Sequence, residues 1–136
     1  MKLRRLWRVA LTLLLMMANP VGAQSTKPVR IIVAFAAGGP VDAMARTIAE
    51  PLSRALGRTV LVENRPGASS IIGMQACAKS PPDGYTLCYT VADSLTYNPL
   101  LFKNLPYDAE KDFTPVVYVA RSNSMLLARG DAPFSS

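Results

Sequence analysis

The chain has 136 residues, with 15 Lys and Arg, 9 Asp and Glu, two Cys and no His. That length holds one modest domain or part of a larger one. The missing histidine excludes Ser-His-Asp and Cys-His nucleophile activation together with the commonest metal ligand; two cysteines alone do not make a structural zinc site, so no metal or other cofactor is expected and the chain is not expected to be an enzyme.

Lys2, Arg4, Arg5 and Arg8 precede an apolar run over residues 9–18 that only Thr12 interrupts, and Asn19-Pro20 and Val21-Gly22-Ala23 follow. A basic start, a ten-residue apolar stretch and small residues at the end describe a secretory signal peptide over residues 1–23, cleaved after Ala23. The run is shorter than the ~20 residues of a membrane span; a retained anchor or an amphipathic helix is the alternative. Residues 1–23 carry four of the basic groups and no acidic one, so their removal leaves 113 residues at a net charge of +2 instead of +6. The basic excess therefore belongs to export, and no nucleic-acid partner is implied.

Residues 24–27 are polar and read as an extension. After Pro28 comes Val29-Arg30-Ile31-Ile32-Val33-Ala34-Phe35, a near-continuous apolar run that predicts a strand buried on both faces, as in a parallel sheet. Gly38-Gly39-Pro40 breaks it. Val41, Met44, Ile48, Leu52, Ala55 and Leu56 then recur at helical spacing, Gly57 is a helix stop, and Pro51 predicts a kink or a break inside the helix. A second strand is expected over 59–63. Residues 64–70 are a loop, and a short helix over 71–78 is capped by one of the serines. Pro81-Pro82-Asp83-Gly84 is a turn. A third strand follows over 85–91, and a loop with a short helix over 92–111 carries turns at Asn98-Pro99 and Leu105-Pro106-Tyr107-Asp108. Two further strands are predicted over 113–120 and 125–129. The alternation gives an α/β fold with a largely parallel sheet.

In such a fold, ligands sit outside the carboxyl ends of the strands, where helices begin. Three loops meet that description. The first, residues 35–42 with Gly38, Gly39 and Asp42, allows close backbone approach and offers helix N–H groups to an anion. It lacks the Lys-Ser/Thr ending of a P-loop and the three-glycine dinucleotide spacing. The second runs from Arg65 to Ser70, and the third comprises Ala92-Asp93-Ser94-Leu95-Thr96. Each alone also reads as an ordinary turn with a cap; three on one sheet edge point to a small-anion site. Cys77 and Cys88, eleven residues apart, either form a disulfide after export or stay as two buried thiols. Arg129-Gly130-Asp131 matches an adhesion tripeptide at a length where chance explains it.

The blocks taken in order are Lys27-Pro28-Val29-Arg30-Ile31-Ile32-Val33, Gly38-Gly39-Pro40 with Asp42, and Val62-Glu63-Asn64-Arg65-Pro66-Gly67-Ala68. After these come Pro82-Asp83-Gly84-Tyr85-Thr86-Leu87, Asn98-Pro99, Leu105-Pro106-Tyr107-Asp108 and Lys111-Asp112-Phe113-Thr114-Pro115-Val116. From about Ser25 to Pro133 this resembles the Bug family of periplasmic solute receptors, the substrate-binding components of tripartite tricarboxylate transporters. The resemblance implies a type II periplasmic-binding, Venus-flytrap fold that captures small carboxylates, delivers them to a membrane permease and is a monomer at full length. It places ligand contacts at Ala36, Ala37, Gly38, Gly39 and Asp42, at Gly67, Ala68, Ser69 and Ser70, and at Ala92, Asp93, Ser94 and Thr96.

Two departures from the family pattern stand out: Ala36-Ala37 where a proline is usual, and Ser69-Ser70-Ile71 where Gly-Gly-Asn is usual. Family members are about twice this mature length, so residues 24–136 are expected to hold most of the first domain, with the second absent. The alternatives are a small exported interaction module that reuses half the fold, and a truncated product without function.

Overall fold

The computed structural model describes residues 27–122 and 125–129. The proposed signal peptide, the start of the polar extension and most of the Arg-Gly-Asp tripeptide lie outside them. Among these residues the elements are, in chain order, β1 (Val29–Val33), α1 (Pro40–Leu56), β2 (Val60–Asn64), α2 (Ile71–Ala78), β3 (Thr86–Tyr89), α3 (Asp93–Thr96) and α4 (Asn98–Leu101). All strand pairs are parallel, in the order β2-β1-β3. β1 pairs with β2 from Val29↔Val60 to Val33↔Asn64, and with β3 from Arg30↔Thr86 to Val33↔Tyr89.

The order explains why β1 is apolar on both faces, with Arg30 near its start as the exception. The step from β1 to β2 goes one way along the sheet, and the step from β2 to β3 crosses back over β1. Right-handed crossovers in opposite directions place their helices on opposite faces. Ile31 and Val33 pack with Ala45 and Ala49 of α1 on one face. On the other, Ala34 meets Gly73 of α2 so closely that a Cβ on that glycine would lie 2.7 Å from it. Val29, Ile31, Ile32, Val33 and Ala34 are all buried.

α1 begins at Pro40 behind Gly39 and ends at Gly57, whose left-handed conformation (φ 59°) lets the Gly57 and Arg58 amides donate to the Arg54 and Ser53 carbonyls. The helix differs from expectation in two ways. It does not break at Pro51, where Thr47, whose carbonyl loses its donor, and Pro51 itself both face solvent. Its buried face is Ala45 and Ala49 flanked by Val41 and Leu52, whereas Met44 and Leu56 of the expected stripe are exposed. The small alanines allow close approach to the sheet, which the larger side chains would block.

α2 spans the expected residues 71–78, and Cys77 and Cys88 form a disulfide with Cα atoms 6.0 Å apart, closing the choice between bridge and free thiols. The two strands expected over 113–120 and 125–129 are not formed. Val116, Val117, Tyr118 and Leu126 are exposed, and Phe113 instead sets its ring edge-on to Tyr107 at 5.7 Å. β-branched composition becomes a strand only where a neighbour supplies the ladder, and among the described residues these segments have none.

Candidate functional site

Because the strands are parallel, their carboxyl ends share one edge, and the loops after β1, β2 and β3 rise from it together. The sheet order reverses between β1 and β3, which is where such sheets open a crevice.

In the first loop the chain leaves β1, crosses Ala36 to Gly39 and enters α1. Gly38 takes φ 81°, a conformation costly for other residues. Its amide donates to Asp42 Oδ2 at 2.8 Å. Asp42 is buried, and its carboxylate also accepts from Arg46 Nε at 3.0–3.1 Å and Asn64 Nδ2 at 2.9 Å. Asn64 further donates to the Phe35 carbonyl at 3.1 Å and accepts from Arg46 Nη2 at 3.1 Å. The amides of Ala36, Ala37, Val41 and Asp42 hydrogen-bond to no other described residue. Four backbone donors are thus left at one helix entrance, which favours negative charge.

The Arg46 guanidinium above all, then the Gly38 and Asn64 amides, holds the Asp42 carboxyl down from its ordinary 3.8 to about 2. A lowered folded-state value means that the stabilisation is complete above the ordinary value and lost as pH falls from 3.8 to about 2. Urea midpoints taken at about pH 5 and about pH 2.5 should therefore fall less steeply in Asp42→Asn than in the unaltered chain. Equal losses in both would show that this carboxylate is not what holds the loop.

The second loop leaves β2 at Asn64, and the Arg65 amide donates to the Val33 carbonyl at 2.8 Å. Gly67, Ala68, Ser69 and Ser70 then adopt φ of 122°, 47°, 52° and 71°. Three consecutive non-glycine residues in the left-handed region cost roughly 1–2 kcal/mol each. Ser70 occupies the cap position of α2, but its hydroxyl makes no capping bond, contrary to the expected serine cap, because the left-handed backbone turns it away from the first helical amides.

The third loop leads from β3 into α3. Ser94 is buried, its hydroxyl 2.8 Å from that of Thr90. Its carbonyl accepts from the Tyr107 hydroxyl at 2.5 Å. Asn98, also buried, donates to the Tyr107 oxygen at 3.2 Å and to the Ser69 carbonyl at 2.9 Å.

The residues expected to touch ligand therefore divide. Ala36, Ala37, Gly38, Gly67, Ala68, Ser69, Ala92, Asp93 and Thr96 are exposed, and Gly39 is half-buried. Asp42, Ser70 and Ser94 lie beneath the rim. Asp42 and Ser94 spend their polar side-chain atoms on the protein, and the Thr96 hydroxyl is engaged with the Ala92 carbonyl at 3.1 Å. Arg46, Asn64, Asn98 and Tyr107, which organise the rim, are not among the residues the sequence singles out. The available signal is a polar Asn closing an otherwise apolar strand at 64; Asn98 and Tyr107 look like turn residues.

A parallel α/β sheet carrying strand-to-helix loops on one edge is shared by many α/β folds, and the solved structures this one superposes on are periplasmic binding proteins. The solved structure of the periplasmic binding protein BugD superposes with a TM-score of 0.61 at 43% identity, over 65% of this chain and 29% of that one. MatC from Rhodopseudomonas palustris, solved with bound malate, gives 0.65 at 35% identity, over 74% and 33%. A UPF0065 protein of Bordetella bronchiseptica is 52% identical over 97 residues, 69% of this chain and 29% of that protein. Residues 44–136 match the family model described as tripartite tricarboxylate transporter family receptor, and the chain belongs to that family. It spans about a third of the length of these relatives.

Proposed function

We propose that the three-loop rim is one wall of a periplasmic receptor site for a small dicarboxylate, which the receptor passes to the membrane permease of a tripartite transporter. The observation that carries this reading is the set of unbonded amides at Ala36, Ala37, Val41 and Asp42, with the second loop tied to the first by Asn64. MatC, with the same fold and 35% identity, holds malate, whose carboxylates suit such donors. On this reading residues 1–23 are an export signal removed after Ala23, and the rim binds without catalysing. Ala36, Ala37, Gly38, Gly39, Gly67, Ala68, Ser69, Ala92, Asp93 and Thr96 supply the rim, while Asp42, Ser70 and Ser94 support it from below. The described residues offer one wall. A second, opposing wall has to close over the ligand before amide hydrogen bonds reach their full strength in a dry cleft.

The test is a titration of this chain with malate, following backbone amide resonances. Shifts confined to residues 36–42 and 67–70, saturating near a millimolar dissociation constant (about −4 kcal/mol) and not produced by glucose or choline, are expected. Absence of shifts at those loops would refute the site, and sub-micromolar binding would refute the single wall.

A further inference from the structure

The left-handed turn over Gly67–Ser70 is unfavourable for its own residues, so something outside it has to hold it. Among the described residues, the side chain that grips it is Asn98. Its amide donates to the Ser69 carbonyl at 2.9 Å, 29 positions away in sequence. The same amide donates to the Tyr107 oxygen at 3.2 Å, and the Tyr107 hydroxyl is anchored on the Ser94 carbonyl at 2.5 Å. Asn98, Tyr107 and Ser94 are all buried. The chain of bonds therefore runs from the third loop, through two buried side chains, to the peptide between Ser69 and Ser70.

A held carbonyl sets the plane of its peptide, and with it the direction of the Ser70 N–H. The Ser69 and Ser70 amides hydrogen-bond to no other described residue. We propose that Asn98 and Tyr107 are positioning residues, which lock the second loop in its left-handed form and so aim its free amides along the rim. This rests on the receptor-site reading for what the amides are aimed at, but the locking itself needs no ligand.

Glycine takes positive φ without steric cost, so the lock should matter less once glycine replaces serine at 69 and 70 and only Ala68 remains strained. Asn98→Ala is expected to raise the unfolded-to-folded ratio roughly tenfold, the effect of losing a buried hydrogen-bond partner. In Ser69→Gly/Ser70→Gly the same change should cost about threefold or less. The Cα and Cβ chemical shifts of Ala68 should leave their left-handed values in Asn98→Ala and keep them when both glycines are present, while those of β1 stay unchanged in every variant. Tyr107→Phe, which removes one hydroxyl and leaves the Asn98–Ser69 bond possible, covers the case in which Asn98→Ala fails to fold and should shift Ala68 partway.

Equal cost of Asn98→Ala in the serine and glycine backgrounds, or an Ala68 signal indifferent to Asn98 and Tyr107, would overturn the proposal. Failure of the receptor reading looks different, since malate would then shift no rim amide although the coupling between Asn98 and Ser69-Ser70 persists.

Discussion

Gly73→Ala is expected to cost about 3 kcal/mol, at the upper end of what overpacking a core does. A Cβ there would lie 2.7 Å from both Cα and Cβ of Ala34 and 2.8 Å from the Arg65 carbonyl oxygen. None of these is the far end of a flexible side chain, so no rotamer change relieves the contact. Either α2 lifts from the sheet or β1 shifts. Ala34 and Arg65 begin the first and second loops, so lifting α2 disturbs both halves of the rim together. Gly39→Ala is the control: Gly39 has φ −79°, its added Cβ would meet only the Ala36 oxygen at 3.5 Å, and the change should be nearly neutral. Urea midpoints of the two variants compare them directly. A Gly73→Ala chain as stable as the Gly39→Ala chain would mean that α2 does not sit this closely on β1.

The second large effect is expected from the Cys77–Cys88 bridge. It joins the end of α2 to β3 across eleven residues, and a loop of that length corresponds to about 3 kcal/mol of lost unfolded-state entropy. Set against the ~5–15 kcal/mol of a typical domain, that is a large share. Reductant should lower the urea midpoint of the unaltered chain accordingly. It should leave Cys77→Ala/Cys88→Ala unmoved at the reduced chain's value, apart from the loss of buried sulfur packing at Cys77. If reductant frees both thiols and the midpoint does not change, the bridge does not stabilise the fold. Such a bridge persists only in an oxidising compartment, in keeping with the export proposed for residues 1–23.

The parts of the fold that rest on local rules were legible in the sequence. The run over residues 29–35 announced a strand covered on both sides, and β1 is the central strand. Gly57 ended α1 where expected, and α2 kept its predicted limits. What depended on tertiary partners was not legible. Which face of α1 would be buried was decided by how near Ala45 and Ala49 allow the helix to come, and counting large side chains pointed to a face rotated from the true one. Residues 113–120 carry strand composition without a strand, since pairing belongs to the neighbour as much as to the segment. For the rim, the glycines and serines marked the right loops. The side chains that connect those loops are Asn64, Asn98 and Tyr107, whose bonds span 9 to 29 positions, and no spacing rule reaches that far.

The position of β1 in the middle of the sheet also bears on the order in which the fold is assembled. Ile31, Ile32 and Val33 are among its most buried residues and are synthesised before either partner strand. Val29 pairs with Val60, and Arg30 with Thr86, so one flank of β1 waits for 31 further residues and the other for 56. Closing the longer of these loops costs only about 0.5 kcal/mol more, so the delay is one of synthesis rather than of chain entropy. While the chain emerges from the ribosome, the strand that ends up most buried in the sheet waits for both of its neighbours, and that segment is one a holding chaperone has reason to protect.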